Sequence, residues 1–559
     1  MSFAPSVLTQ VCEELEAEAS AGGVTQLAYG IVSGGQLVAQ RDPDAIFRIA
    51  SMTKSFTAAA VLGVCRGVIP VSGTAPSLDD ELVDWLPDLR ESQWATGMTV
   101  RDALTMSTGL PNDDPWADRL ESLSDVGMRD LMRQPAGTNF VTGTGYEYAN
   151  YGYALLGAFV EAATGREFTE VVATHLLTPL GLESTGFDVR ELDPGRLVTG
   201  YRKNLAGELE PQPFTLPGAF SAIGGLASSV ADVARWISVL MTAVDGSAVV
   251  GRVAGEAAGL ATVAGEAGGE GGSDLGEFPL GANPREQRTW RRILADLQQA
   301  QRLISVTRNA RDAVVTAGYG YGLRCYFDTQ LGHSAGHSGG YPGFSLHMRW
   351  HAASGTGVVL LANVTGFPAE AVATNALDAL VSDVRDRGDG SVAWPRAEAV
   401  EATPARKGAG ASGAGVGASG GGAAGAGAGD DDAGAGVVYA VDPVCSFAPS
   451  EEARERAAQA ERMIAACDDS GADQVFSGNM DMDVPRSERL THWAEVREYV
   501  GGEGSVAAGL EGIEVTWINA HEATWKVWGA ERDGQQRGRE VTMKLNAAGL
   551  IQKLKVKKL

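Results

Sequence analysis

Residues 408–436 are glycine, alanine and serine almost throughout, interrupted by Val416 and by the acidic knot Asp430-Asp431-Asp432. A stretch of this kind holds nothing large and apolar, so burial cannot offset the entropy of ordering it. It is expected to be a flexible linker that parts the chain into two folding units. On this reading residues 1–390 form a large domain, 391–440 the Gly/Ala-rich linker and 441–559 a small α+β domain. A second run of small residues, 244–284, mixes Gly and Ala with Glu and is expected as a flexible insertion inside the large domain.

The 45 Lys and Arg residues face 70 Asp and Glu, a net charge of −25. That balance repels phosphate backbones and anionic bilayers, which argues against nucleic acid and membrane partners. Cys12, Cys65, Cys325, Cys445 and Cys467 are scattered, with no C-x-x-C pair and no His cluster beside them. No metal site or cofactor is expected from them, and free thiols suit a reducing compartment. The first 22 residues lack the basic start and apolar run of a signal peptide, and Leu8, Val11, Cys12 and Leu15 recur at helical spacing instead. No segment is long and apolar enough to span a bilayer. A cytoplasmic protein is the expectation.

Within the large domain, 27–32 and 36–40 flank Ser33-Gly34-Gly35 as a β-hairpin. Next comes Ser51-Met52-Thr53-Lys54, opening a helix whose residues 58–64 are apolar on every side. Ser51 then sits in a first helical turn, where unpaired N–H groups favour negative charge, and Lys54 projects from the same face. A serine hydroxyl needs a base, and a lysine held neutral can serve as one. The plainer reading is a serine cap followed by a solvated lysine.

Residues 78–87 read as a short helix ended by Pro87, and 99–111 as a capped helix running into a turn. Tyr148-Ala149-Asn150 lies where an aromatic loop becomes an apolar helix. A phenol there can relay a proton and a carboxamide can hold an ammonium or a substrate amide, although aromatic packing with Asn150 as a cap explains the same residues. A helix over 230–241, capped by Ser228 or Ser229, and another over 285–304 are expected. His337-Ser338-Gly339-Gly340 then enters a strand, with 344–350 and 358–362 forming a hairpin after it. Glycines in a strand admit a ligand or a second backbone, so this stretch is either a substrate-binding edge or a glycine-rich turn. His347 and His351 are expected on the strand surface.

Ser51-x-x-Lys54, Tyr148-Ala149-Asn150 and His337-Ser338-Gly339 together resemble the three signature motifs of the serine β-lactamase and penicillin-binding protein superfamily. The variant is similar to the class C β-lactamase-like serine hydrolases, over about residues 5–385. The resemblance implies an α+β fold, with an antiparallel sheet flanked by helices plus an all-helical lobe and the active site between them. It implies Ser51 as acylated nucleophile, with Lys54 and Tyr148 sharing base duty. Asn150, His337, Ser338, Gly339 and Gly340 would bind substrate, and the N–H groups of Ser51 and Gly340 would form an oxyanion hole. No metal is implied. Where many β-lactamases carry a lysine that binds the drug's carboxylate, this chain has His337, only partly cationic near neutral pH if unperturbed.

The expected activity is therefore hydrolysis of a small-molecule ester, amide or peptide through an acyl-enzyme. A true β-lactamase or penicillin-binding D,D-peptidase, and a binding protein of the same fold without turnover, are the alternatives. Beyond the linker, helices near 450–466 and 486–500 precede alternating segments at 512–518, 521–528, 539–546 and 550–556. This order resembles the NTF2-like cone fold, and a lid, docking or homo-oligomer role is expected for it.

Overall fold

The computed structural model describes residues 3–245 apart from 92–93, 114–115, 135 and 205–206, then 278–388, and further on 451–466, 490, 493–494, 516–519, 522–528, 538–545 and 551–558. The expected linker lies outside the described residues, as do 246–277 of the expected insertion. Phe278 and Leu280, which fall within the expected insertion, are buried in the main core.

The N-terminal helix α1 (Pro5–Ala21) leads into the hairpin β1 (Leu27–Ser33) and β2 (Gln36–Arg41), then the short β3 (Ile46–Arg48). A long helical excursion follows: α2 (Thr53–Cys65), α3 (Leu82–Trp85), α4 (Val100–Leu104), α5 (Asp125–Arg133), α6 (Asn150–Thr164), α7 (Phe168–Val172), α8 (Ser221–Gly224), α9 (Val230–Asp245) and α10 (Pro284–Leu297). Small strand pairs interrupt it, β4 (Gly200–Lys203) with β5 (Leu209–Gln212), and β3 with β6 (Ala227–Ser229). The chain then returns to the sheet as β7 (Arg302–Arg308), β8 (Val314–Tyr319), β9 (Arg324–Asp328), β10 (Gly332–Tyr341), β11 (Phe344–His351) and β12 (Thr356–Ala362), and α11 (Ala369–Asp386) closes the domain.

The eight-stranded sheet has the order β2-β1-β12-β11-β10-β9-β8-β7. Every pairing is antiparallel. Strand β1 lies against β12 in the register Ala28↔Leu361, so an N-terminal strand and the domain's last strand meet one strand in from the β2 edge. Alternate residues point to opposite faces. Leu27, Tyr29, Ile31, Val358 and Leu360 pack on α1 and α11. Ala28, Val32, Val359 and Leu361 join the larger core around α2, α6 and α9. A sheet covered on both faces reads as a continuous apolar run, which is what β12 shows.

Several expectations are corrected in detail. The helix drawn over 285–304 ends at Leu297, because Arg302 to Arg308 pair with β8 as a strand. Only Leu82 to Trp85 is α-helical in the 78–87 segment, and Pro87 opens a 3₁₀ turn, a first-turn position proline tolerates. His347 and His351 are buried rather than on the strand surface, since α11 and the 3₁₀ turn after β11 cover that face. The expected capped helix at 99 is present, with Thr99 and Asp102 forming a reciprocal capping box. Ser229, of the two candidates, caps α9, its hydroxyl accepting from Asp232 N–H at 3.3 Å.

In the C-terminal part, α12 (Glu451–Ala466), β14 (Glu522–Trp528), β15 (Gly538–Leu545) and β16 (Ile551–Lys558) share one apolar cluster, and β13 (Thr516–Asn519) pairs with β14 at the end of the meander. The strands follow in sequence order, all antiparallel. Among the described residues no helix is long and apolar enough to cross a membrane, and no group of three or more His, Cys, Asp and Glu is placed to hold a metal ion.

Candidate active site

Strand β3 delivers the chain into a 3₁₀ turn, Ala50–Met52, from which α2 continues without a break. Ser51 is partly exposed between buried Ala50 and Met52. Ala50 has φ of 48°, a left-handed conformation that costs a residue with a Cβ about 1–2 kcal/mol. Packing holds it there. Ala50 is fully buried, and its backbone lies against Gly224, where an added Cβ would come within 3.3 Å of it. The body of α2 is buried from Thr53 to Val64 and fixed by side chains: Thr57 Oγ1 donates to the Ala222 carbonyl at 2.7 Å, and Leu226 N–H donates to Thr53 Oγ1 at 3.2 Å.

Lys54 is completely buried, with Nζ 2.9 Å from Ser51 Oγ and donating to the Ile223 carbonyl at 2.7 Å. Its Nζ lies 5.0 Å from the centre of the Tyr148 ring and 5.7 Å from that of Tyr153. Tyr148 and Asn150 come to this point because α6 begins at Asn150. That helix is capped from outside: the Asp113 carboxylate accepts from Asn150 N–H at 2.6 Å and from Tyr151 N–H at 2.8 Å. The simpler role of Asn150 as cap is thereby taken by Asp113, and Asn150 is the first helical residue, itself buried.

The fourth wall is β10. Its pairing with β9 covers Gly332 to Gly336 only, while its pairing with β11 continues to Tyr341, so residues 337–341 form an edge open on the β9 side. Gly339 brings this edge against the nucleophile turn, because a Cβ there would lie 2.5 Å from the Ile49 carbonyl oxygen. Gly340 is exposed, with open space where its side chain would be. His337 faces the tyrosines: its ring centroid is 6.1 Å from those of both Tyr148 and Tyr319. Its Nδ1 is 2.6 Å from the Ser338 carbonyl and its Nε2 is 3.3 Å from Tyr319 Oη. A carbonyl only accepts, so Nδ1 carries the proton and Nε2 accepts from the tyrosine. Burial pushes the imidazole down to about 3. The expectation of a partly cationic His337 is thus corrected to a neutral one.

Strand alternation turns Ser338 to the other face, where its hydroxyl donates to Glu370 at 2.7 Å and lies 3.0 Å from His347 Nδ1. Its side chain therefore anchors β10 to α11 instead of lining the site, and the sequence-based assignment of Ser338 to substrate binding is corrected to that extent. Ser51, Lys54, Tyr148 and His337 are brought together, with Gly339 against the nucleophile turn and Asn150 opening the helix two residues after Tyr148.

Supporting residues escaped the sequence analysis. Arg48, just before the nucleophile turn, meets Glu121 at 3.1 Å with both side chains buried. It also donates to the carbonyls of Gly225 and Thr215. Tyr341 at the end of β10 donates to Glu121 at 3.0 Å, so one buried carboxylate ties the strand edge to the turn. Burial raises Glu121 to about 7 against the pull of Arg48. Asp113, two residues after Leu110-Pro111, and Tyr319, in the Gly318-Tyr319-Gly320 repeat, sit beside recognisable turn sequences, but their partners lie 37 and 18 residues away. No local pattern announces them.

The sequence pattern of the family described as Beta-lactamase matches residues 12–383. The chain is 30% identical over 222 residues to "Beta-lactamase" of Escherichia coli (strain K12), covering 39% of this chain and 52% of that one. It is 32% identical over 185 residues to "Esterase EstB" of Burkholderia gladioli, covering 30% and 44%, and 27% identical over 206 residues to "D-aminopeptidase" of Gluconobacter oxydans (strain 621H), covering 35% of each. These matches span about half the length of the relatives or less. Among solved structures, the octameric penicillin-binding protein homologue from Pyrococcus abyssi shares the fold with a TM-score of 0.51 at 22% identity, over 67% of this chain and 77% of that one.

Proposed function

The chain belongs to the beta-lactamase family, and from that premise we propose that it is a serine hydrolase acting through an acyl-enzyme on a small ester, amide or peptide substrate. The observation that carries this reading is the 2.9 Å contact between Ser51 Oγ and the Nζ of a fully buried Lys54. As a neutral amine, Nζ accepts the Ser51 proton while it still donates to the Ile223 carbonyl. Ser51 Oγ then attacks the substrate carbonyl. The negative charge on the carbonyl oxygen is met by the N–H groups of Ser51 and Gly340, each donor worth about 3 kcal/mol in such sites. Collapse expels the alcohol or amine, which takes its proton from the Lys54 and Tyr148 pair. Water, deprotonated by the same pair, releases the acyl group and restores Ser51. Asn150 holds the substrate amide or the lysine, and Gly339 and Gly340 give room for the acyl chain along the strand edge.

The neutral His337, with both ring nitrogens engaged, favours uncharged acyl donors over β-lactams bearing a carboxylate. The deciding test is p-nitrophenyl butyrate hydrolysis by the purified protein beside Ser51→Ala. Turnover is expected in the wild type and a loss of at least about 10³-fold in the variant. Equal rates, or none in either protein, would move the assignment to a binding protein of the same fold.

A further inference from the structure

Helix α10 presents Trp290, Ile293, Leu294 and Leu297 to the core and Arg285, Arg288 and Arg292 to the opposite side. These three arginines, with Thr289 and with Arg66 from the C-terminal end of α2, line an open concavity of about 540 Å³. In a chain of net charge −25, carboxylates are plentiful, and arginines elsewhere find them. Arg133 meets Asp88 at 2.6 Å, Arg166 meets Glu170 at 2.6 Å and Arg311 meets Asp378 at 2.9 Å. Among the described residues no carboxylate pairs with Arg285, Arg288 or Arg292. Arg66 gives NH2 to Asp296 at 2.6 Å, but its NH1 is buried and makes no hydrogen bond.

This arrangement works against the helix. Arg285 and Arg288 lie in its N-terminal turns, where the macrodipole disfavours cations, and the pairs 285/288 and 288/292 set like charges at helical-neighbour spacing. Since the row faces away from the core, packing does not require it. A bound anion would reverse the sign of both penalties. From Arg285 to Arg292 the row runs about 10 Å along the helix. One phosphate cannot satisfy that length, whereas a chain of two or three can, with guanidinium forks suited to their oxygens.

We infer that the α10 arginine row and Arg66 form a binding site for a small polyanion carrying two or more linked phosphate groups, such as a polyphosphate or the triphosphate of a nucleotide. It lies at the far end of α2 from Ser51, about 20 Å along the helix, and is independent of the hydrolase reading.

The test is calorimetric titration of the full-length protein with tripolyphosphate, ATP and orthophosphate at about 50 mM and 200 mM salt. Saturable binding of tripolyphosphate is expected, at least tenfold tighter than orthophosphate and weakening with salt. Affinity should fall at least thirtyfold in the Arg285→Gln/Arg288→Gln/Arg292→Gln variant and remain unchanged in Arg308→Gln and in Ser51→Ala. ATP equal to tripolyphosphate assigns the site to the phosphate chain, and tighter ATP assigns it to a nucleotide. If the triple variant has a lowered thermal midpoint, Arg288→Gln alone is read, with at least a threefold loss expected. Absence of saturable binding, or affinity indifferent to these arginines, overturns the inference.

Discussion

At the scale of single residues, the proposed mechanism separates groups that do chemistry from groups that hold them. Tyr148→Phe keeps the ring beside Lys54 and removes only the hydroxyl, so kcat for the ester should drop about 10²- to 10⁴-fold with the thermal midpoint unchanged. A Phe variant as active as the wild type would leave Lys54 as sole base. His337→Gln should leave the acid limb of the kcat/KM profile where it is, because an imidazole pushed down to about 3 does not titrate between pH 5 and 8. A shift of that limb in a pH series would show that His337 does ionise there. Ser51, Lys54, Tyr148, Asn150 and His337 could be named as candidates from the sequence because the proposed chemistry limits which residue types can stand at those spacings. Ile223 was not, since any residue supplies the carbonyl that accepts from Lys54. Nor was the tautomer of His337, which the Ser338 carbonyl facing Nδ1 decides once the strand is formed.

Among elements, the site depends on how closely β10 and the tip of α2 approach each other. Gly339→Ala would place a methyl 2.5 Å from the Ile49 carbonyl oxygen and push the strand edge off the nucleophile turn. Misplacement by about 1 Å at a catalytic centre can cost about 10²-fold, and a fall of that order in kcat/KM with an unchanged circular dichroism spectrum is expected. An Ala variant with native kinetics would mean that the two elements are free to separate. Removing the Asp113 carboxylate by Asp113→Ala uncaps α6, and a urea denaturation series should read a loss of about 1–2 kcal/mol. Strands β8 and β9 were not anticipated, but the β1–β2 and β11–β12 hairpins and the helices α2, α6, α9 and α10 were readable from periodicity, which such elements carry strongly. Their ends were not: the α10 pattern ran on into β7, where pairing with a partner strand decides the conformation.

The whole molecule should be acid-labile. Burial pushes His337 down to about 3 and His347 and His351 to about 4. The unfolded chain protonates all three near pH 6.5 while the fold refuses the protons, so their stabilisation is present above that pH and lost as pH falls. Glu121, raised to about 7, acts the other way for one proton. The net of two protons corresponds to about 3 kcal/mol lost per pH unit below about 6, which the urea midpoint at pH 7 and at pH 5.5 should reveal. A midpoint that rises on acidification would refute it. Neither this property nor the strand order was legible in the sequence, because the burial depends on how other elements pack over these strands and the β1–β12 seam joins segments more than 300 residues apart. That seam also governs birth on the ribosome. Strands β10 and β12 follow Ser51 by roughly 300 residues, and at ~5–20 residues per second the interval is about fifteen seconds to a minute. Through that time the nascent chain carries its serine without the strand edge opposite it, so the candidate site stays incomplete until the domain is almost completely translated.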